Sequence, residues 1–497
     1  MSASITDTLA LHKSMMGESA VNDLQKTIST STGLVNYDLQ APEKNLYAFL
    51  APIRSRLKRV PGRGGIATNW RAVTGFTGSG VKSMPWVPEG QRSARMSYTT
   101  QNKSANYVTL GEEDSITEEA ISAAEGFTDA QAGLAFRLMQ GTLTKEEYAL
   151  IAGNASLALG TVGTVTTSAS GTGGTLPGAP TTYDVACVAL TMEGYLAASL
   201  SGGVQQVVAI TGADGKTYNL NGGSSMKSAV ATQAITLGQH LFASVAPVLG
   251  AVAYAWYIGA AGAAKLEAIT TINSLDWSTA LAGTGQALTA VTADCSKNAN
   301  YAFDGLLTTA FNSGGLAYTK VMATGVSGTG TPLTAGGRRN ITEIDVMLKS
   351  MWDNSRLSPT VIFVNSQEMQ NITNKVMNSN TSPIFAANQS DPYAVTANGF
   401  VTGYFNPFTA GQQGVTIPIV LHPYIPAGTI LALCENLPAQ FQNSEVPNVA
   451  EIHVRKDYRQ TFWPVVTRSR DVGVYVEETL AVYAPFGLGV ISNIANG

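Results

Sequence analysis

Hydrophobic positions along this chain change period several times, and each change marks an element. From residue 128 onward, Leu134, Phe136, Leu138, Met139, Leu143, Tyr148 and Ile151 recur at near-helical spacing. Thr128 with Gln131 three residues later reads as a capping box, and Gly153 supplies the stop. Such a helix would run on the order of 35 Å. A second helix is predicted from a cap at Asn340 with Glu343 at the box position, and Ile344, Met347, Leu348 and Met351 form its apolar face. Ser358-Pro359 breaks that helix, Thr360-Val361-Ile362-Phe363-Val364 makes a buried strand, and 366–377 reads as another helix, giving an α–β–α unit. From Val415 the pattern is mostly strand, with Val474, Val476, Leu480 and Val482 at alternate positions.

Two stretches follow neither pattern. Residues 67–110 are polar and β-prone, contain Gly75, Gly78 and Gly80, and show no core pattern, as expected of an extended hairpin reaching away from its own domain. Residues 155–300 hold only ten charged residues, and no arginine occurs between Arg137 and Arg338. Ser/Thr/Gly-rich linkers at 161–182 and 281–290 bracket short β-type runs, with Asp214-Gly215 as a hairpin signal between two of them. About seven such strands predict a small antiparallel sandwich inserted at 155–297. The uncharged stretch 241–264 is long enough to cross a bilayer. It contains Pro247, however, and the alternation of Val252, Tyr254, Trp256 and Ile258 predicts a strand with one buried face, so no membrane partner is expected.

Composition sharpens this picture. The 497 residues suggest roughly three domains. Only 13% are charged, against about 25% in ordinary soluble domains, which hints at extensive subunit contacts. A hydrophobic content of 44% excludes a disordered chain, and a net charge of −4 provides no global attraction to nucleic acid or membrane. Cys187, Cys295 and Cys434 are too few and too scattered for a disulfide framework or a zinc site. The first residues lack a basic and apolar leader, which predicts synthesis in a reducing cytoplasm.

The search for catalytic chemistry yields no site. Gly215-Lys216-Thr217 has Ile210 where a phosphate-binding loop needs glycine, and there is no nucleophile elbow or His-Glu-x-x-His. His12, His240, His422 and His453 have no metal-ligand partner at local spacing, and Glu112-Glu113-Asp114 and Glu118-Glu119 read as charged loops or helix first turns. No enzyme activity, cofactor or metal is expected. One basic cluster stands out: Arg54, Arg56, Lys58, Arg59 and Arg63. Three roles stay open for it: a solvated face, contacts with acidic patches on neighbouring subunits, or direct phosphate contact.

The order of these parts carries a resemblance. Its local matches are Glu146-Glu147-Tyr148-Ala149-Leu150-Ile151-Ala152-Gly153-Asn154 at the end of the long helix, Pro426-Ala427-Gly428-Thr429-Ile430 entering a strand, and the closing stretch from Tyr475 through Ile491. Together with the arm and the glycine-containing loop, this succession resembles the major capsid proteins of tailed bacteriophages, over about 350 residues on either side of the insertion. The resemblance implies an α+β HK-97-type fold: an N-terminal arm (1–66), an E-loop (67–110), a peripheral domain with its spine helix (111–154), an axial domain (298–437), and peripheral strands returning to the axial domain (438–497). The insertion at 155–297 would be an immunoglobulin-like or fibronectin-like sandwich on the outer surface of the shell. The implied function is a structural subunit that forms pentamers and hexamers of an icosahedral head in the host cytoplasm and becomes part of the virion. Its partners would be a separate scaffolding protein, a portal and a decoration protein, with packaged DNA held without sequence readout. Lys82 lies in the E-loop, but no partner motif for an isopeptide cross-link is found. The expected assembly contacts are Arg54, Arg56, Lys58 and Arg59 near the arm, and Trp86, Glu89 and Arg92 in the E-loop.

Two other readings fit parts of the pattern. An encapsulin-type nanocompartment would share the shell fold and carry cargo. A surface adhesin or carbohydrate-binding protein would use the β-domain as its working end, but the α–β–α unit and the missing leader argue against it.

Overall fold

Strand and helix segments follow one another in three stretches of a mixed α+β fold. The computed structural model describes residues 50–77, 86–92, 97–125, 129–176, 181–212, 215–337, 340–377, 387–388, 391–395, 401–409, 414–437, 448–465 and 467–496. The first stretch holds α1 (Pro52–Arg56), β1 (Lys58–Pro61), β2 (Ala67–Thr77), β3 (Ser97–Asn106), β4 (Val108–Thr117), α2 (Glu118–Ala124) and α3 (Ala130–Ala152). The second holds β5 (Thr166–Ser170), β6 (Thr181–Leu190), α4 (Met192–Ala197), β7 (Val207–Thr211), β8 (Thr217–Asn221), β9 (Ala231–Ile235), β10 (His240–Ser244), β11 (Ala253–Ala260), β12 (Lys265–Thr270) and β13 (Ser274–Trp277). The third begins with α5 (Leu306–Phe311), β14 (Tyr318–Val321), α6 (Thr342–Ser355), β15 (Val361–Val364), α7 (Ser366–Met377), β16 (Ala387–Asn388) and β17 (Asp391–Val395). It ends with β18 (Gly403–Asn406), β19 (Val415–Leu421), β20 (Ile430–Leu433), β21 (Ala450–Phe462), β22 (Ser469–Val482) and β23 (Leu488–Ser492).

The chain divides into two compact units, residues 1–48 with 117–133 and residues 49–116 with 134–497. In the first, Thr117 Oγ1 caps α2 by accepting from the Ala120 N–H at 3.3 Å. Asp129 Oδ1 caps α3 by accepting from the Gln131 and Ala132 N–H groups at 3.1 and 3.0 Å. The cap expected at Thr128 lies outside the described residues, as do Asp214, His12 and Lys82.

In the second unit a six-stranded sheet, in the order β14-β23-β20-β15-β19-β18, has both faces covered. Val361, Phe363, Leu431, Leu433, Leu488 and Val490 face a core that also takes Leu150 and Ile151 of α3. The alternate residues Ile362, Val364, Ile430, Ala432 and Ile491 face Ile344, Met347, Leu348 and Met351 of α6 and Ile372 of α7. The cap of α6 differs from expectation. Ile341 precedes the helix without a side-chain cap, and the Glu343 carboxylate instead accepts from the Thr334 N–H at 2.9 Å. A second sheet, β1-β21-β22-β4, pairs the start of the chain with its end. β1 runs parallel to β21, and β21 pairs antiparallel with β22. α3 has 23 residues, and Val472 and Val474 cover its Leu134 and Leu138; Phe136, expected on the apolar face, is exposed. At its end Gly153 and Gly305 allow a close backbone crossing, with the Gly305 N–H donating to the Gly153 carbonyl at 2.8 Å. A Cβ at either glycine would fall within 3 Å of backbone atoms.

The low-charge region forms two sheets, β13-β10-β5 and β12-β11-β6-β9, with Leu241, Ala243, Leu275, Tyr254, Trp256 and Ile258 in a common core. β7 and β8 form a separate ribbon. The alternation read from Val252 to Ile258 is only half of the arrangement. Tyr254, Trp256 and Ile258 enter the sandwich core, but Ala253, Ala255 and Tyr257 are also buried, against Val204, Leu288 and Val291. β11 therefore has two buried faces. The segment 241–264 holds most of β10 and all of β11 joined by a loop, and no helix among the described residues is long and apolar enough to cross a membrane.

Candidate assembly sites

Arg54 and Arg59 lead to a charged cluster that local sequence patterns do not reveal. Near the end of α3, Glu146 and Glu147 are both fully buried. Glu147 caps α1 from a distance: its carboxylate accepts from the N–H groups of Ile53 at 2.8 Å and Arg54 at 2.9 Å. It also accepts from His422 Nε2 at 2.7 Å. Since His422 Nδ1 accepts from the Tyr424 N–H at 3.2 Å, the imidazole proton resides on Nε2. His422 is thus a satisfied buried histidine.

Glu146 holds the basic segment. Arg54 Nε lies 2.8 Å from its Oε2 and Arg59 Nη1 2.5 Å from its Oε1, while the Tyr458 hydroxyl donates to Oε2. Both guanidinium groups also lie over the Tyr458 ring, 5.4 and 5.0 Å from its centre. Arg59 further pairs with Asp457 and, at 3.2 Å, with buried Glu478. Glu478 accepts no hydrogen bond on either oxygen. Both guanidinium groups are drawn to Glu146, and of the two Arg59 also reaches Glu478. Burial first, and then the Glu146 charge, push the Glu478 carboxyl up to about 8 against the pull of Arg59 and Arg54.

The structure thus places two of the four basic residues expected at a subunit contact, Arg54 and Arg59, in an internal anchor. Arg56 pairs with Glu435 at 3.0 Å, and Lys58 is exposed. What the sequence reading missed is the set of partners: Glu146, Glu147, His422, Tyr458 and Glu478.

The second feature is the β2–β3 ribbon. Among the described residues its strands of 11 and 10 residues pair only with each other, spanning about 35 Å. Its base is fixed by Trp70, packed edge-on to Tyr483 at 5.4 Å, and by the Thr68 hydroxyl, 2.6 Å from the Tyr107 hydroxyl. Beyond the base, Val73 and Tyr98 are exposed, and between the strands Trp86 is 80% exposed with Val87, Glu89 and Arg92 also open to solvent. The structure brings Trp86, Glu89 and Arg92 into one segment but places them apart from the anchor in sequence and pairing. A cleft of about 500 Å³ opens beside the ribbon's base, lined by Trp70, Lys103, Asn106, Asp304, Asn312 and Tyr483. A further ribbon, β21–β22, ends in exposed Phe462, Trp463 and Val465. The sequence signal for that tip was Phe462-Trp463-Pro464, a bulky pair at a turn residue.

A pH dependence follows from three carboxyls that burial raises: Glu193, to about 7, and also Glu368 and Glu478. Glu368 accepts from the Gly428 N–H at 3.0 Å, but burial outweighs this and the Asn371 contact and raises it to about 7. All three bind their protons more tightly in the folded state than the ordinary value of 4.5. Their stabilising contribution is full below about pH 4.5. It falls as pH rises through about 7 and 8, by up to about 1.4 kcal/mol per pH unit for each group, and then levels off. Urea midpoints should therefore fall between pH 5.5 and 8.5, and Glu368→Gln with Glu478→Gln should reduce that slope to the share of Glu193. An unchanged slope in the double variant would refute the assignment.

No protein-family model and no curated protein matches the chain. Among solved structures, it is similar to the encapsulin complex from Synechococcus elongatus PCC 7942, with 9% identity, a TM-score of 0.40, and coverage of 94% of this chain and 95% of that one. It is also similar to the capsid of a native GTA particle, at 11% identity and a TM-score of 0.42 over 93% and 96% of the two chains. The capsid of Myoviridae phage XM1 is similar at 8% identity and a TM-score of 0.39, over 95% and 100%.

Proposed function

We propose that this chain is a major capsid protein, a structural subunit of an icosahedral shell of the HK-97 type. The observation that carries the reading is the β2–β3 ribbon. A two-stranded ribbon of this length is at best marginally stable in water by itself. In this one most residues of β3 are exposed, and between the strands lies a segment bearing a tryptophan that is 80% exposed. Such a ribbon is completed by packing on a neighbouring subunit, which is the part an E-loop plays. The cleft at its base provides a seat for a neighbour's chain, and the β21–β22 tip provides a further apolar contact.

In this reading α3 is the spine helix, the β1-β21-β22-β4 sheet belongs to the peripheral domain, and the six-stranded sheet with α6 and α7 forms the axial domain. The region 155–297 is an immunoglobulin-like or fibronectin-like insertion on the outer surface. Arg56, Lys58, Trp86, Glu89 and Arg92 meet neighbouring subunits directly. Arg54 and Arg59 act indirectly, by holding the segment after the arm against α3. The role is structural rather than enzymatic, and the shell encloses double-stranded DNA without reading its sequence.

The test is electron microscopy of the purified chain, alone and with a scaffolding protein encoded beside it. Closed shells of uniform size are expected, and their contents separate a DNA-filled head from a cargo-filled compartment. A chain that stays monomeric under every condition would overturn the reading.

A further inference from the structure

The β7–β8 ribbon carries a second contact surface, independent of the shell reading. All five residues of β7, Val207-Val208-Ala209-Ile210-Thr211, are exposed, with Val207, Val208 and Ile210 at 47%, 39% and 46%. The strand is uncharged and contains no proline, so it lacks the guards that usually protect an open edge. Among the described residues β7 pairs only with β8.

The flanking hydrogen bonds fix which backbone groups face outward. The Gly222 N–H donates to the Gln206 carbonyl and the Gly212 N–H to the Lys216 carbonyl, both at 2.8 Å. In an antiparallel ladder hydrogen-bonded pairs alternate, so Val208 and Ile210, opposite Leu220 and Tyr218, direct their backbone groups toward β8. The N–H and C=O groups of Val207, Ala209 and Thr211 therefore point away from it.

Those outward groups are self-complementary. Two antiparallel copies of β7 centred on Ala209 would join Ala209 to Ala209 and Val207 to Thr211, twice, as hydrogen-bonded pairs. Val208 would then stand directly opposite Ile210 of the second copy, in the closer non-hydrogen-bonded position, twice. Pairs of β-branched residues favour this arrangement, and no like charges meet at the twofold axis. The geometry points to β7 as a self-association edge: two copies of this chain join β7 to β7 in a continuous β8-β7-β7-β8 sheet.

The register provides a test that does not depend on shells forming. Full-length chains carrying Val208→Cys or Ile210→Cys are oxidised mildly, separately and as an equal mixture, and dimers are scored on a non-reducing gel. The three native cysteines are buried, so they do not compete. Positions 208 and 210 of opposite copies are within disulfide reach, whereas 208 to 208 is a diagonal of about 7–8 Å. The mixture should give at least tenfold more cross-linked dimer than either variant alone. Adding Ala209→Pro, which removes an outward N–H without touching a bond to β8, should reduce the mixed dimer at least fivefold. No dimer in the mixture, equal dimer in each variant alone, or a yield indifferent to Ala209→Pro would each overturn the proposal.

Discussion

Glu147→Ala should destabilise the protein by about 3–5 kcal/mol, because one substitution strands two buried donors and a partly buried one. The Ile53 N–H, the Arg54 N–H and His422 Nε2 all donate to this carboxylate. His422 is almost completely buried, so water cannot replace the lost acceptor there. Each unsatisfied donor costs on the order of 1–3 kcal/mol, and the costs overlap because the three share a site. With an m-value of about 3 kcal/mol/M, the urea midpoint should fall by at least about 1 M. Glu147→Gln keeps one acceptor oxygen but turns an amide N–H toward a donor, so its loss should lie between wild type and Glu147→Ala. A local readout accompanies the global one. Arg54, Arg56, Lys58 and Arg59 are trypsin sites in the segment that Glu147 holds, so cleavage there should rise on the order of tenfold in Glu147→Ala. Wild-type midpoint and wild-type cleavage together would show that the cap does not anchor the segment.

This anchor also shows where the sequence stops being informative. The long helix, the α–β–α unit and the hairpin at 67–110 each leave a periodic or compositional trace within a few residues, and each is present as an element in the structure. The anchor joins residues that lie 92 positions apart between Arg54 and Glu146 and 404 between Arg54 and Tyr458, and no local period encodes such a pairing. Charge alone made Arg54 and Arg59 look like surface residues. The only local hint was a pair of adjacent carboxylates, Glu146-Glu147, directly before the apolar run from Tyr148 to Ala152. The second face of β11 was hidden for a different reason: Ala253 and Ala255 are too small to register as a hydrophobic period, yet both are fully buried. At α6 the sequence favoured an Asn340 cap because the residue types fit, but Glu343 was drawn into a bond with the Thr334 backbone.

Trp86→Ala is expected to separate folding from assembly most cleanly. The side chain is 80% exposed, so the isolated subunit should lose almost nothing when it is removed, and its unfolding free energy from urea titration should stay within about 0.5 kcal/mol of wild type. In the shell the same tryptophan would be buried on a neighbour, where an aromatic anchor contributes about 2 kcal/mol or more. Every subunit offers one ribbon and receives another, so the loss recurs at each repeated contact. At about 2 kcal/mol per contact, the protein concentration at which shells first form should rise about thirtyfold. Glu89→Lys and Arg92→Glu provide the contrast. If these charges sit at the rim of that contact, each should shift the threshold by about 1 kcal/mol or less, and the shift should shrink at high salt. Sedimentation across a dilution series measures all three variants. A Trp86→Ala chain that assembles at the wild-type concentration would remove the ribbon's tip from the interface, because no fold defect would be available to mask a real loss of contact.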